Sequence, residues 1–190
     1  RSVSSAVLLR KVGQQALEGP EHTITVADRQ AFIDDVRDAL WSAKVVAYAQ
    51  GLDEIRTAAA EYHWEIDMGQ VASIWRNGCI IRARLLQRIK DEYAAGDLTT
   101  LLEAPSVRAE LARCQQAWRR VVARAVEAGV PVPGFSSALG YYDQVRAPRL
   151  NAALTQGLRD LFGAHTYRRI DDEGSWHVNW SGDGREVRAD

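Results

Sequence analysis

The fold is decided by residues 25–60, which read TVADRQAFIDDVRDALWSAKVVAYAQGLDEIRTAAA. Apolar and small side chains recur here every three or four residues, the spacing of one face of an α-helix. Thr25 and Asp28 have the spacing of a capping box at a helix N-terminus. The pattern predicts one helix of about 30 residues, roughly 45 Å long at the standard rise.

Five further helices are predicted by the same periodicity, and glycine or proline stands at most of their ends. Start signals precede two of them: Asp67 with Gln70, and Thr100 with Glu103 just before Pro105. The predicted segments are residues 8–17, 67–96, 105–129, 135–147 and 150–162.

These segments predict an all-α fold, a bundle of long helices, since no stretch alternates long enough to support a β-sheet. We expect a helical domain over residues 1–163 and a polar, glycine-rich tail over residues 164–190. Long helices usually bury a second face in a partner, which favours a dimer. The chain starts at Arg1, without methionine and already within a helical pattern, so we expect it to be truncated at its N-terminus.

Composition excludes several classes of function. The formal net charge is −1 and the 24 basic residues are scattered, so we expect no binding to nucleic acid or to a membrane surface. No apolar run reaches the roughly 18 to 20 residues that span a bilayer. Cys79 and Cys114 lack metal-ligand spacing and are expected to be reduced thiols, as in a cytoplasmic protein.

The sequence contains no self-contained catalytic motif. It has no GxGxxG or Walker glycine run, no HExxH or GxSxG, and no cluster of carboxylates. We therefore assign no catalytic residue and no metal ligand to this chain.

One candidate binding segment is Arg159-Asp160-Leu161-Phe162-Gly163-Ala164-His165-Thr166-Tyr167. The guanidinium of Arg159 can donate two hydrogen bonds to a phosphate, and the imidazole of His165, six residues later, can donate another. The alternative is that Arg159 pairs with Asp143 or another carboxylate while His165 caps the helix end. Spacing alone leaves both open.

A second mixed segment is Trp75-Arg76-Asn77-Gly78-Cys79-Ile80-Ile81-Arg82. Here Gly78 indicates a close helix crossing, and Arg76 and Arg82 are interpreted as structural ion-pair partners.

Four motifs in order identify the chain as similar to the decarboxylating 6-phosphogluconate dehydrogenases. Residues 74–82 resemble the family's IWRxGCIIR, residues 135–143 its FSSAL-x-YYD, residues 162–167 its FGAHTY, and residues 176–180 its FHTNW. Together these motifs extend over most of the chain.

The resemblance implies an all-helical domain that follows an N-terminal dinucleotide-binding domain. It implies a homodimer in which each C-terminal tail threads the partner and helps to complete its active site. The implied reaction is oxidation of 6-phosphogluconate by NADP, then loss of carbon dioxide to give ribulose 5-phosphate, a step of the pentose phosphate pathway. The family's substrate-binding arginine and histidine fall on Arg159 and His165, and its further phosphate-binding arginine falls on Arg1.

The family's general-base lysine, general-acid glutamate and GxGxxG fingerprint have no counterpart in this sequence. The resemblance places them upstream, with most of the NADP site, so the chain alone is expected to be inactive. The alternative hypothesis is a non-catalytic helical dimerisation module derived from the same fold.

Overall fold

The computed structural model describes residues 2–76 and 79–189, and helices dominate it. The prediction of an all-α fold is confirmed. The helices are α1 (Ser2–Ser5), α2 (Val7–Ala16), α3 (Arg29–Glu61), α4 (Met68–Ile74), α5 (Arg84–Ala95), α6 (Pro105–Glu127), α7 (Pro133–Arg146) and α8 (Ala152–Gly163). A 3-10 turn (Leu101–Glu103) precedes α6, and two short strands, β1 (Trp176–Val178) and β2 (Glu186–Arg188), follow α8.

The long helix predicted from residues 25–60 is α3, which has 33 residues. It begins three residues later than Thr25 would place it, because the Asp28 carboxylate accepts the amide of Ala31 at 3.0 Å and so caps the helix. Asp67 caps α4 as predicted, whereas the capping box of Thr100 with Glu103 forms but caps the 3-10 turn before α6 and not α6 itself.

The core of the first unit lies between α3 and α6, which pack along each other. Trp118 of α6 is fully buried, and its indole N–H donates to the carbonyl of Phe135 at 3.2 Å. That bond satisfies the polar atom of the largest buried side chain.

The single helix predicted from Asp67 to Gly96 is wrong. The first helix ends at Ile74 and the next begins at Arg84, so that α4 and α5 can pack against each other. A β-carbon on Gly69 would lie 3.4 Å from the Lys90 carbonyl, which shows how closely the two helices approach. A continuous helix would have exposed the apolar faces that this packing buries.

The chain divides into two compact units, one ending at Tyr142 and the other beginning at Asp143. Within the second unit, β1 and β2 form an antiparallel hairpin, with Trp176 opposite Arg188. The sequence did not predict this hairpin, because strands of three residues are too short to show alternation. The second unit also contains α8, so this helix and the tail belong to one compact unit. The role of residues 164–190 in contacting a partner stays a prediction.

Among the helices of the described ranges, none combines the length and the apolar character needed to cross a membrane.

Candidate functional site

The candidate residues lie at the C-terminal end of α8, in the second unit. The helix ends at Gly163, and Ala164 adopts the left-handed conformation, with φ of 49° and ψ of 40°. The amide of Ala164 donates to the carbonyl of Asp160 at 2.9 Å, which closes the last turn. His165 therefore follows a well-defined helix end.

Arg159 is exposed on the last turn but one of α8. Its Nη1 donates to Oε1 of Gln156 at 3.1 Å, and Nε2 of the same glutamine donates to the carbonyl of Thr166 at 2.5 Å. Within residues 2–76 and 79–189 no carboxylate forms an ion pair with Arg159. The predicted alternative, a pairing with Asp143, is thus not what the described structure shows.

His165 is also exposed, between two residues with positive φ, Ala164 at 49° and Thr166 at 60°. Non-glycine residues in such conformations cost on the order of 1 to 3 kcal/mol each, and they persist only where surrounding contacts enforce them. The His165 ring meets the edge of Phe162, with centroids 6.0 Å apart. It makes no hydrogen bond with the described residues, so it does not cap α8.

Asp160 is the centre of the hydrogen bonds in this unit, and its side chain is fully buried. Oδ1 accepts the amide of Thr166 at 3.0 Å and lies 2.8 Å from Nδ1 of His177. Oδ2 accepts the amide of Val178 at 3.0 Å and the indole N–H of Trp180 at 2.8 Å. One carboxylate thus joins α8, the segment after His165 and the β1 region.

No sequence pattern predicted a role for Asp160. Its donors lie 6 to 20 residues later in the chain, and two of them are main-chain amides, which carry no residue-type signal. The one sequence signal was an acidic residue within the last, largely apolar turn of a helix. Because an unpaired buried carboxylate is very unfavourable, such a residue is expected to have hydrogen-bond donors around it.

The pKa of Asp160 reflects these contacts. Burial alone would raise it, but the hydrogen bonds from Val178, His177, Trp180 and Thr166 outweigh burial and lower the pKa to about 2. A carboxyl whose folded pKa is depressed stabilises the fold above its unfolded pKa and loses that contribution as the pH falls through the folded pKa.

We expect the second unit to lose about 2 kcal/mol of stability between about pH 4 and pH 2 through Asp160 alone. Asp160→Asn should remove this part of the pH dependence. Urea unfolding followed by tryptophan fluorescence across this range measures it, with exposed Asp172 changed to asparagine as control. An Asp160→Asn curve that stays parallel to the control would contradict the expectation.

The segment after His165 is fixed to the hairpin by a second set of contacts. Main-chain bonds of 2.8 Å run in both directions between Tyr167 and Trp176. The Tyr167 hydroxyl donates to Glu186, and burial, followed by this bond, raises the pKa of Tyr167 to about 12. Arg169 forms ion pairs with Asp171 and Glu186 and lies 5.1 Å above the Trp176 ring. Both ends of the His165 segment are therefore anchored.

The other predicted residues lie in the first unit or outside the described ranges. Arg76 donates to Gln87, so its observed partner is an amide and not the predicted carboxylate. Arg82 is exposed. Asn77 and Gly78 lie outside the described residues, as does Arg1, the third predicted substrate ligand. The structure therefore brings Arg159 and His165 onto one segment and does not describe Arg1.

Comparisons with a family model and with individual known proteins point to the same family. The family model described as 6-phosphogluconate dehydrogenase, C-terminal domain, matches residues 1–180. A decarboxylating 6-phosphogluconate dehydrogenase of Salmonella typhimurium is 48% identical over 181 residues, which are 95% of this chain and 38% of the relative. A spinach enzyme of the same name is 48% identical over 165 residues, 85% of this chain and 34% of its own length.

A solved structure of the Plasmodium falciparum 6-phosphogluconate dehydrogenase superposes with a TM-score of 0.86 at 34% identity, over 95% of this chain and 39% of that one. That enzyme was solved in its apo form, with its cofactor NADP+ and with its substrate 6-phosphogluconate. The chain thus spans less than two fifths of the length of these relatives.

Proposed function

The chain belongs to the 6-phosphogluconate dehydrogenase C-terminal domain family, and we propose that it supplies substrate-binding groups to a decarboxylating 6-phosphogluconate dehydrogenase. The proposed enzyme transfers a hydride from 6-phosphogluconate to NADP and releases carbon dioxide, leaving ribulose 5-phosphate. In this chain, Arg159 and His165 bind the substrate phosphate and neighbouring hydroxyls, together with Arg1.

One observation carries this proposal. Arg159 and His165 are exposed on a segment whose backbone is held by hydrogen bonds at Thr166, and neither forms an ion pair with another described residue. A guanidinium without a carboxylate partner can give its planar donors to a phosphate at little cost. The ordered backbone around His165 limits the entropy lost when substrate binds.

NADP is proposed as the cofactor, held mainly by an N-terminal dinucleotide-binding domain. The sequence of this chain contains no glycine-rich turn that could cradle the cofactor's pyrophosphate. When bound, NADP accepts the hydride. The residues of this chain act on the substrate by binding and orienting it.

The proposed assembly is a homodimer with exchanged tails. α8 exposes apolar side chains along its length, and burying them against a second copy would stabilise the dimer. They are Leu154, Leu158, Leu161 and Phe162. The two cysteines, Cys79 and Cys114, are free thiols, which supports a cytoplasmic location.

The proposal predicts that the protein translated from its own gene, including any coding sequence upstream of Arg1, reduces NADP with 6-phosphogluconate. Ribulose 5-phosphate and carbon dioxide should form in equal amounts with NADPH. The 190-residue chain by itself should show no turnover, because its sequence has no dinucleotide-binding glycine motif and the resemblance places the proton-transfer pair upstream.

Absorbance of NADPH and analysis of the sugar product measure both outcomes. A full-length protein that is folded and dimeric but does not turn over 6-phosphogluconate would favour the non-catalytic dimerisation module. Turnover by the purified 190-residue chain would show that the assignment of the chemistry to an upstream domain is wrong.

A further inference from the structure

His165 stands between two amides that both donate to Asp160. The amide of Ala164 bonds to the Asp160 carbonyl at 2.9 Å, and the amide of Thr166 bonds to its carboxylate at 3.0 Å. Ala164 and Thr166 are the two residues with positive φ that flank His165. A strained backbone needs contacts that enforce it, and Asp160 provides one on each side.

The second carboxylate oxygen connects this arrangement to the end of β1 and the residues after it. It accepts the amide of Val178 and the indole N–H of Trp180, at 3.0 and 2.8 Å. An ionised carboxylate only accepts hydrogen bonds, so it can satisfy four donors at once. An asparagine amide would place its own N–H groups against two of these four donors. The site therefore requires a charged carboxylate and not merely a polar side chain of the same shape.

We propose that Asp160 is a positioning residue, which sets the backbone of His165 for substrate binding and couples it to the segment from Val178 to Trp180. This inference rests on the proposed function. Asp160 is fully buried and does not itself contact the substrate; it acts through His165. Arg159, its neighbour in sequence, is tied to the same segment because Gln156 bonds both to Arg159 and to the carbonyl of Thr166.

Gly163 offers an independent way to disturb the same position. A β-carbon there would lie 2.8 Å from both Cδ2 and Nε2 of His165, so an alanine would displace the ring. Gly163 is helical and does not have the positive φ that disfavours a side chain, so Gly163→Ala should fold normally. Gly157 lies on the same helix with nothing within 4 Å of the corresponding β-carbon, and Gly157→Ala is the matched control.

The test is made in the full-length enzyme. Asp160→Asn should raise the KM for 6-phosphogluconate roughly tenfold or more, with a smaller effect on kcat, because misplaced binding groups lose orientation. The same change in a His165→Ala background should raise KM far less, since its effect passes through His165. Asp172→Asn, an exposed carboxylate of the same unit, should leave KM unchanged.

An unchanged KM for Asp160→Asn would overturn the proposal, as would an equal KM increase in the wild-type and His165→Ala backgrounds. If Asp160→Asn does not fold, Gly163→Ala tests the step from His165 to the substrate: a raised KM beside a normal Gly157→Ala supports that step of the proposal, and a wild-type KM overturns the proposal. A wild-type enzyme without any turnover refutes the proposed function itself. An active wild type with unaffected variants refutes only the role of Asp160.

Discussion

Changing Arg159 to alanine in the full-length protein is expected to raise the KM for 6-phosphogluconate about 30- to 150-fold. This corresponds to the 2 to 3 kcal/mol that a hydrogen bond to a charged group typically contributes. The phosphate is remote from the carbon that is oxidised, so the effect should fall mainly on KM, with a smaller loss of kcat through lost orientation. Steady-state kinetics at saturating NADP measure both constants.

Arg159→Lys separates charge from geometry. Lysine keeps the positive charge but loses the planar pair of donors, so its KM should lie between those of wild type and Arg159→Ala. His165→Ala should raise KM less than Arg159→Ala. Arg185→Ala is a suitable control, because Arg185 is exposed, pairs with Asp183, and lies beyond the family match that ends at residue 180.

The order of KM values decides the assignment. A wild-type KM for Arg159→Lys would show that Arg159 does not bind the phosphate with two directed hydrogen bonds, since the charge alone would then suffice. A wild-type KM for Arg159→Ala would show that Arg159 does not contact the substrate at all.

The sequence predicted the long helices well, because each has an apolar face and a clear start or stop signal. Asp67 caps α4 as expected, and α6 begins at Pro105, but Thr100 caps the 3-10 turn before α6. The helix prediction was wrong between Trp75 and Arg84. There the apolar periodicity of the sequence continues, although α4 ends at Ile74 and α5 begins only at Arg84. The break between the two helices allows α4 to pack on α5, and such tertiary packing cannot be read from the local spacing of apolar residues.

The candidate site was predictable only in part. The resemblance of residues 159–167 to the family's R-x-x-F-G-A-H-T-Y placed Arg159 and His165 on one segment, and the structure shows both side chains exposed. Asp160 was not predicted, because its role depends on donors from the hairpin that no local spacing reveals. A residue that acts through tertiary hydrogen bonds needs the fold before it can be recognised.

Mixing two impaired subunits should restore activity at low substrate concentration if Arg159 serves the active site of the partner. One subunit carries Arg159→Ala; the other lacks the general-base lysine that the resemblance places upstream of this chain. In the exchanged arrangement, one site of the heterodimer contains the intact lysine of the first subunit and the intact Arg159 of the second. The other site carries both lesions. The heterodimer should therefore show about half of the wild-type activity, with a wild-type KM.

The assay must be run at a substrate concentration far below the KM of the Arg159→Ala homodimer, so that this parent contributes little turnover. Differently tagged subunits, purified over both tags, ensure that only heterodimers are measured.

The reciprocal mixture provides the control: wild-type subunits combined with subunits that carry both lesions. In the exchanged arrangement each site of this mixture has one lesion and should show little turnover at this substrate concentration. If Arg159 instead serves its own subunit, the two results are reversed, because the wild-type subunit then keeps a complete site while the first mixture has none. The pair of mixtures thus distinguishes the two arrangements by which one is active, independently of any difference in expression or stability between the variants.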